Sequence, residues 1–159
     1  MVHYSFCTGA RILATPTERI SVDVLYADTD AMGIIYYGSY FRFFEAGRLA
    51  FFRRFGREIT ASYEDGEPVL LPVTATACRY RKPGRVYDRL EVETRLREVK
   101  RASFTLSYVI YRGETGERLV EGETEHTCID AAGRLVRFDH RMRAFFARAR
   151  GEEAEQEQA

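Results

Sequence analysis

The chain has 159 residues, 45% of them hydrophobic and 30% charged; that composition excludes a disordered or membrane-embedded class, and the length points to one domain with a sizeable core. Lys plus Arg total 24 and Asp plus Glu total 24, a formal net charge of zero. Nothing global therefore attracts a polyanion or a membrane surface, no nucleic-acid partner is expected, and any anionic ligand must be held by local charge.

Residues 1–18 lack periodicity and are expected to form an N-terminal extension. They hold no continuous apolar stretch of the signal-peptide kind, and no later segment approaches the roughly 20 apolar residues that span a bilayer, which argues against export and membrane insertion. From Ile20 to Tyr26, Ile20, Val22, Val24 and Tyr26 alternate with Ser21 and Asp23, the period of a half-buried strand. A loop with Asp28, Asp30 and Gly33 follows. The stretch Tyr36 to Phe55 is the most aromatic of the chain, and its pairs Phe41/Phe44 and Phe51/Phe55 have helical spacing, predicting a buried helix of about four turns. Gly56 suits a left-handed C-terminal stop, and the polar stretch Arg57 to Gly66 reads as a link with a short helix of its own.

Four strands are predicted next. Val69, Leu71, Val73, Ala75 and Ala77 alternate with Thr74, Thr76 and Cys78, and Lys82-Pro83-Gly84 supplies a turn. Leu90, Val92, Thr94 and Leu96 oppose Glu91, Glu93, Arg95 and Arg97; Phe104, Leu106, Tyr108 and Ile110 oppose Ser103, Thr105 and Ser107; Val120, Gly122, Thr124, His126 and Cys128 oppose Glu121, Glu123 and Glu125. Each strand thus has a dry and a wet face. Asp139 to Ala147 reads as an amphipathic helix, and residues 149–159 as an acidic tail that buries nothing, leaving 19–148 as the folded domain. The class is α+β: a largely antiparallel sheet of about five strands with one long buried helix packed on it. Fold alone decides no function.

The three cysteines, Cys7, Cys78 and Cys128, are an odd number without a CxxC pair; this disfavours a disulfide framework or a zinc knuckle and fits a reducing cytoplasm. The chemistry concentrates instead in Tyr26-Ala27-Asp28-Thr29-Asp30-Ala31-Met32-Gly33-Ile34-Ile35-Tyr36-Tyr37-Gly38-Ser39-Tyr40, leading into Phe44-Glu45-Ala46-Gly47-Arg48. Two carboxylates sit in a loop between a strand and the N-terminus of an apolar helix. Such a terminus offers unpaired N–H groups and a positive dipole end. A carboxylate beside them makes up the two parts that acyl hydrolysis needs, a base or nucleophile and an oxyanion site.

Over Tyr26 to Arg48 the D-x-D-x-x-G, aromatic and E-x-x-R pattern resembles the 4-hydroxybenzoyl-CoA thioesterase family of hotdog proteins, including the acyl-CoA thioesterases encoded beside Tol-Pal genes. The likeness continues more weakly to about Phe138, through Arg81-Lys82-Pro83, Asp88 and Lys100-Arg101-Ala102-Ser103-Phe104. The resemblance implies a hotdog fold, with Asp30 as the catalytic carboxylate, the Tyr37 backbone N–H as the donor to the thioester carbonyl, and Gly33 giving the tight turn between them. It implies Lys100 and Arg101 as contacts for coenzyme A phosphates, and a homodimer or homotetramer whose site lies between subunits. Ala102 stands where some relatives carry a third basic residue, and Tyr37 where some carry a histidine.

Asp28, Asp30 and Gly33 occupy positions one, three and six of a calcium loop, but Met32 at position five and Ser39 at position twelve rule that loop out, so no metal is expected. Asp28 is expected to support the loop. Glu45 pairs with Arg48 by default, with a catalytic role as the alternative, since another hotdog branch uses a helix glutamate. His126 reads as a satisfied core histidine. The expected reaction is hydrolysis of an acyl-CoA to the free acid and coenzyme A, which is part of the substrate, with no further cofactor. The alternatives are a non-catalytic acyl-CoA-binding module and a hotdog dehydratase.

Overall fold

A computed structural model describes residues 16–56, 62–64 and 67–152. Most of the expected N-terminal extension, most of the Arg57 to Gly66 link with its short helix, and most of the acidic tail lie outside the described residues.

Strand β1 (Thr17–Asp23) leads through a short 3₁₀ turn (Tyr26–Asp28) and a second (Tyr37–Ser39) into helix α1 (Tyr40–Arg54). The chain then forms β2 (Ser62–Glu64), β3 (Glu67–Leu70), β4 (Val73–Tyr80), β5 (Arg89–Val99), β6 (Ser103–Arg112), β7 (Glu117–Thr127), β8 (Ile129–Asp130) and α2 (His140–Ala149). A five-stranded antiparallel sheet has the order β1-β5-β6-β7-β4, and β2, β3 and β8 form a small second sheet. This is the expected hotdog architecture. No helix among the described residues is long and apolar enough to cross a membrane.

Two expectations shift. The first strand ends at Asp23 rather than near Tyr26, because the Val24 N–H leaves the ladder for the Asp88 carbonyl (2.9 Å) and Tyr26 enters a 3₁₀ turn with its ring exposed. The run from Val69 to Cys78 is two strands, since Pro72 has no N–H to donate; β3 pairs with β8 and β4 with β7.

Helix α1 lies on the dry face of the sheet because Tyr40, Phe43, Phe44, Gly47, Phe51 and Phe52 share one side of it and are buried. Glycines let it come close. A methyl group at Gly47 would collide with Thr94, and one at Gly122 with the Phe44 ring, which stacks on Tyr108 at 4.5 Å. The C-terminal stop is the expected one, with Gly56 at φ 81° and its N–H donating to Arg53 O (3.0 Å). Helix α2 starts at Asp139, whose carboxylate accepts the Met142 N–H (2.6 Å), and buries Phe145 and Phe146 against Phe52 and Phe104. The wet face carries cross-strand ion pairs such as Arg97 with Glu123 and Arg19 with Glu93.

His126 is 1% exposed, stacked on Phe104 at 4.6 Å, with its ring nitrogens on Thr124 Oγ1 (2.8 Å) and the Leu71 carbonyl (3.2 Å). It is the satisfied core histidine expected. Burial pushes its pKa down to about 4. Above pH 6.5 both folded and unfolded chains hold it neutral; between pH 6.5 and about 4 only the unfolded chain takes up the proton, so stability falls as the pH falls. The loss is on the order of 3 kcal/mol. Urea unfolding across this window should show that slope in the wild type and a flatter profile in His126→Gln; equal slopes would contradict the assignment.

Candidate active site

The motif loop is held by backbone pairing that its sequence permits. Asp30 N–H donates to Ile34 O (2.9 Å), Gly33 N–H to Asp30 O (3.0 Å) and Tyr36 N–H to Asp28 O (2.9 Å), and Thr29 bridges Ile35. Gly33 sits at φ 72°, where any other residue would be strained although the space beside it is open. The loop rests on a second one, for Ile35 N–H donates to Gly84 O (2.9 Å), and a methyl group at Gly84 would strike the Ile35 side chain.

Asp28 supports the loop, as expected, and does so with a partner the sequence did not reveal. It is 5% exposed, and its carboxylate accepts the Leu25 N–H (2.9 Å) and both Nε (3.0 Å) and Nη2 (2.6 Å) of Arg42. The pair ties the strand end to the first turn of α1. A fork-shaped guanidinium against a buried carboxylate is among the stronger polar contacts available.

Asp30 faces a different way. Its Oδ1 accepts the Met32 N–H (2.8 Å), and Oδ2 has no partner among the described residues. Together with Tyr37 it lines a cavity of about 320 Å³, whose walls include Ile34, Tyr40 and Tyr80 and to which Arg81, Lys82 and Pro83 contribute. Tyr37 is the first residue of the 3₁₀ turn that runs into α1, the position whose N–H has no acceptor within the helix. Its carbonyl is fixed by the Tyr80 hydroxyl, which donates at 3.0 Å. Burial raises the pKa of Tyr80, and its hydrogen bond with the Cys78 thiol adds to this, so Tyr80 remains a neutral donor. Tyr40, raised in the same direction by burial, accepts the Gly84 N–H (3.3 Å) and pins the neighbouring loop.

The remaining candidates are elsewhere. Glu45 is exposed on α1 and lines a separate cavity with Arg48, Thr76 and Thr124. The default Glu45–Arg48 ion pair is not formed among the described residues: Glu45 stands exposed, where a single helical ion pair gains little against solvent, and Arg48 is half-buried. Lys100 and Arg101 are exposed in the β5–β6 turn, with Lys100 beside Glu98 (3.3 Å). That turn is at the Val73 end of the sheet, whereas the Asp30 cavity is at the Tyr80 end, seven residues or roughly 23 Å along β4, so one chain does not bring them together. Among the described residues no three His, Cys, Asp or Glu side chains are grouped to hold a metal ion.

Sequence reasoning passed over Arg42 and Tyr80. The first is a lone cation in an aromatic run and the second the last residue of an alternating strand, so neither departs from its local pattern.

The sequence model of the thioesterase-like superfamily matches residues 24–148. The chain is 31% identical over 116 residues to the acyl-CoA thioester hydrolase YbgC of Escherichia coli O157:H7, covering 73% of this chain and 84% of that protein. It is 28% identical over 115 residues to a 1,4-dihydroxy-2-naphthoyl-CoA hydrolase of Thermosynechococcus vestitus, covering 72% and 77%. The solved DHNA-CoA thioesterase of Staphylococcus aureus superposes with a TM-score of 0.77 at 24% identity, covering 90% of this chain and 97% of that one, a likeness of fold.

The Asp28–Arg42 lock makes a graded stability prediction. Asp28→Ala strands the Leu25 N–H and the guanidinium and should cost about 2–3 kcal/mol; Arg42→Ala, whose side chain is 46% exposed, should cost about 1 kcal/mol. Chemical denaturation measures both, and the reverse order would refute the lock.

Proposed function

Because the chain belongs to the thioesterase-like superfamily and is a thioester hydrolase, we propose that its substrate is an acyl-CoA and that Asp30 carries the chemistry, with 19–148 as the catalytic domain. The observation that supports this most is the shared cavity: Asp30, whose carboxylate keeps a free oxygen, and Tyr37, whose N–H has no helical acceptor, both line it.

In the nucleophilic route the free Asp30 oxygen attacks the thioester carbon, the C–S bond breaks, coenzyme A leaves as its thiolate, and water then cleaves the mixed anhydride. In the general-base route Asp30 takes a proton from a water that attacks the same carbon. Either way negative charge grows on the carbonyl oxygen and meets the Tyr37 N–H, a kind of donor worth about 10²- to 10³-fold in rate. A thioester is already an activated acyl group, so the reaction needs no further cofactor. Ile34, Tyr40 and Tyr80 give the cavity an apolar lining suited to an acyl group.

A homodimer or homotetramer belongs to this reading. Strand β4 is an edge of the five-stranded sheet, and an edge strand offers unpaired N–H and C=O groups to a second copy. The reading also keeps the cytoplasmic setting; Cys78 carries a free thiol. A dehydratase that relies on histidine finds no support in His126, which is buried in the core and not part of the cavity wall.

Release of free thiol from a panel of short, long and aromatic acyl-CoAs tests the proposal. Asp30→Asn and Asp30→Ala should fold as the wild type does and lose at least about 10²-fold in turnover; near-wild-type rates in both would overturn it. In sedimentation the wild type should have at least twice its 18.4 kDa chain mass, and a monomer would contradict the edge pairing.

A further inference from the structure

The loop between β4 and β5, with the strand ends that flank it, is a basic stretch of an otherwise neutral chain. Residues 79–89 hold Arg79, Arg81, Lys82, Arg85 and Arg89 against the single acid Asp88, a local excess of 5 − 1 = 4 positive charges. Arg81 and Lys82 are engaged with Glu121 (2.8 Å) and Glu117 (2.5 Å), but the Arg85 side chain has no partner among the described residues. The same loop continues the wall of the Asp30 cavity: Lys82 and Pro83 line it, and the Arg85 backbone bridges Ile34, another lining residue.

Two residues beyond Arg85 stands Tyr87. It is the one non-glycine among the described residues with a left-handed backbone, at φ 68°, and its ring is 90% exposed without an aromatic neighbour. Neither feature is what folding alone selects, since a tyrosine is strained there and its ring stays in water. The strain is held by the surroundings. Tyr87 N–H donates to Val24 O (3.2 Å), Arg85 N–H to Asp88 Oδ2 (2.8 Å), and Arg112 grips both Asp88 and the Pro83 carbonyl. The loop therefore presents an exposed aromatic face and, two residues before it, an uncommitted guanidinium, and its first residues line the Asp30 cavity.

We propose that this loop seats the nucleotide end of coenzyme A, with the Tyr87 ring stacked on the adenine and Arg85 meeting a phosphate, Lys82 adding charge. The inference rests on the acyl-CoA reading above. Phosphate calls for a planar cationic fork, and adenine for an aromatic face. The seat is at the Tyr80 end of the sheet, away from Lys100 and Arg101.

Calorimetric binding of coenzyme A, 3′,5′-ADP and pantetheine to the full-length protein tests it without relying on turnover. Tyr87→Gly relieves the strained backbone and should leave stability unchanged or raised, yet weaken coenzyme A and 3′,5′-ADP about tenfold and leave pantetheine alone. Arg85→Ala should do the same, Tyr87→Phe should retain binding, and Lys100→Ala should change it less than Tyr87→Gly. Wild-type affinity in both Tyr87→Gly and Arg85→Ala would overturn the seat, and so would an equal loss for pantetheine, which would mean a collapsed cavity. Wild-type protein that binds in the predicted pattern but releases no thiol from any acyl-CoA would support the seat and refute the hydrolytic reading.

Discussion

The contact between Asp28 and Arg42 is the constraint on which the site depends. A carboxylate with almost no exposure is stable here because it accepts one backbone N–H and two guanidinium N–H groups. It joins the end of β1 to the first turn of α1, and its own backbone carbonyl receives Tyr36 N–H. The chain between these anchors has little freedom left. Asp30 and Tyr37, seven residues apart, are thereby committed to one cavity, and of the two aspartates it is the one not engaged in the lock that keeps a free oxygen.

The rest of the fold supplies the walls. Aromatic side chains on the buried face of α1 fix the helix against the sheet, and Gly47 and Gly122 remove the methyl groups that would hold it away. Tyr80, delivered by the end of β4, reaches the Tyr37 carbonyl, while Tyr40 from α1 takes the Gly84 N–H. Tyr80 thus links the helix tip to β4, and Tyr40 links α1 to the β4–β5 loop. The cavity is a junction of three pieces of chain, and its shape is set by hydrogen bonds among them as much as by the sheet beneath.

Much of this was legible in the residues. Period-two alternation identified the strands whose dry face supports α1, and the loop motif singled out Asp30, Gly33 and Tyr37. Boundaries were less legible where a tertiary hydrogen bond decides them, as when Asp88 draws Val24 out of the ladder or Pro72 divides one apolar run into two strands. Pairings across the fold were not legible at all: Arg42 is fourteen residues from Asp28 with nothing periodic to connect them, and Arg48 follows Glu45 at ion-pair spacing without forming the pair. Spacing along a helix gives an opportunity for contact and not the contact itself.

The central claim is that a bound thioester lies between the Asp30 carboxylate and the Tyr37 amide. A crystal structure with a coenzyme A ketone, in which a methylene replaces the thioester sulfur, measures this directly. The ketone oxygen should be within about 3 Å of the Tyr37 nitrogen, with an Asp30 oxygen or a water bound to it facing the ketone carbon. A ketone bound away from both groups, with the Asp30 side chain turned to solvent, would contradict the account.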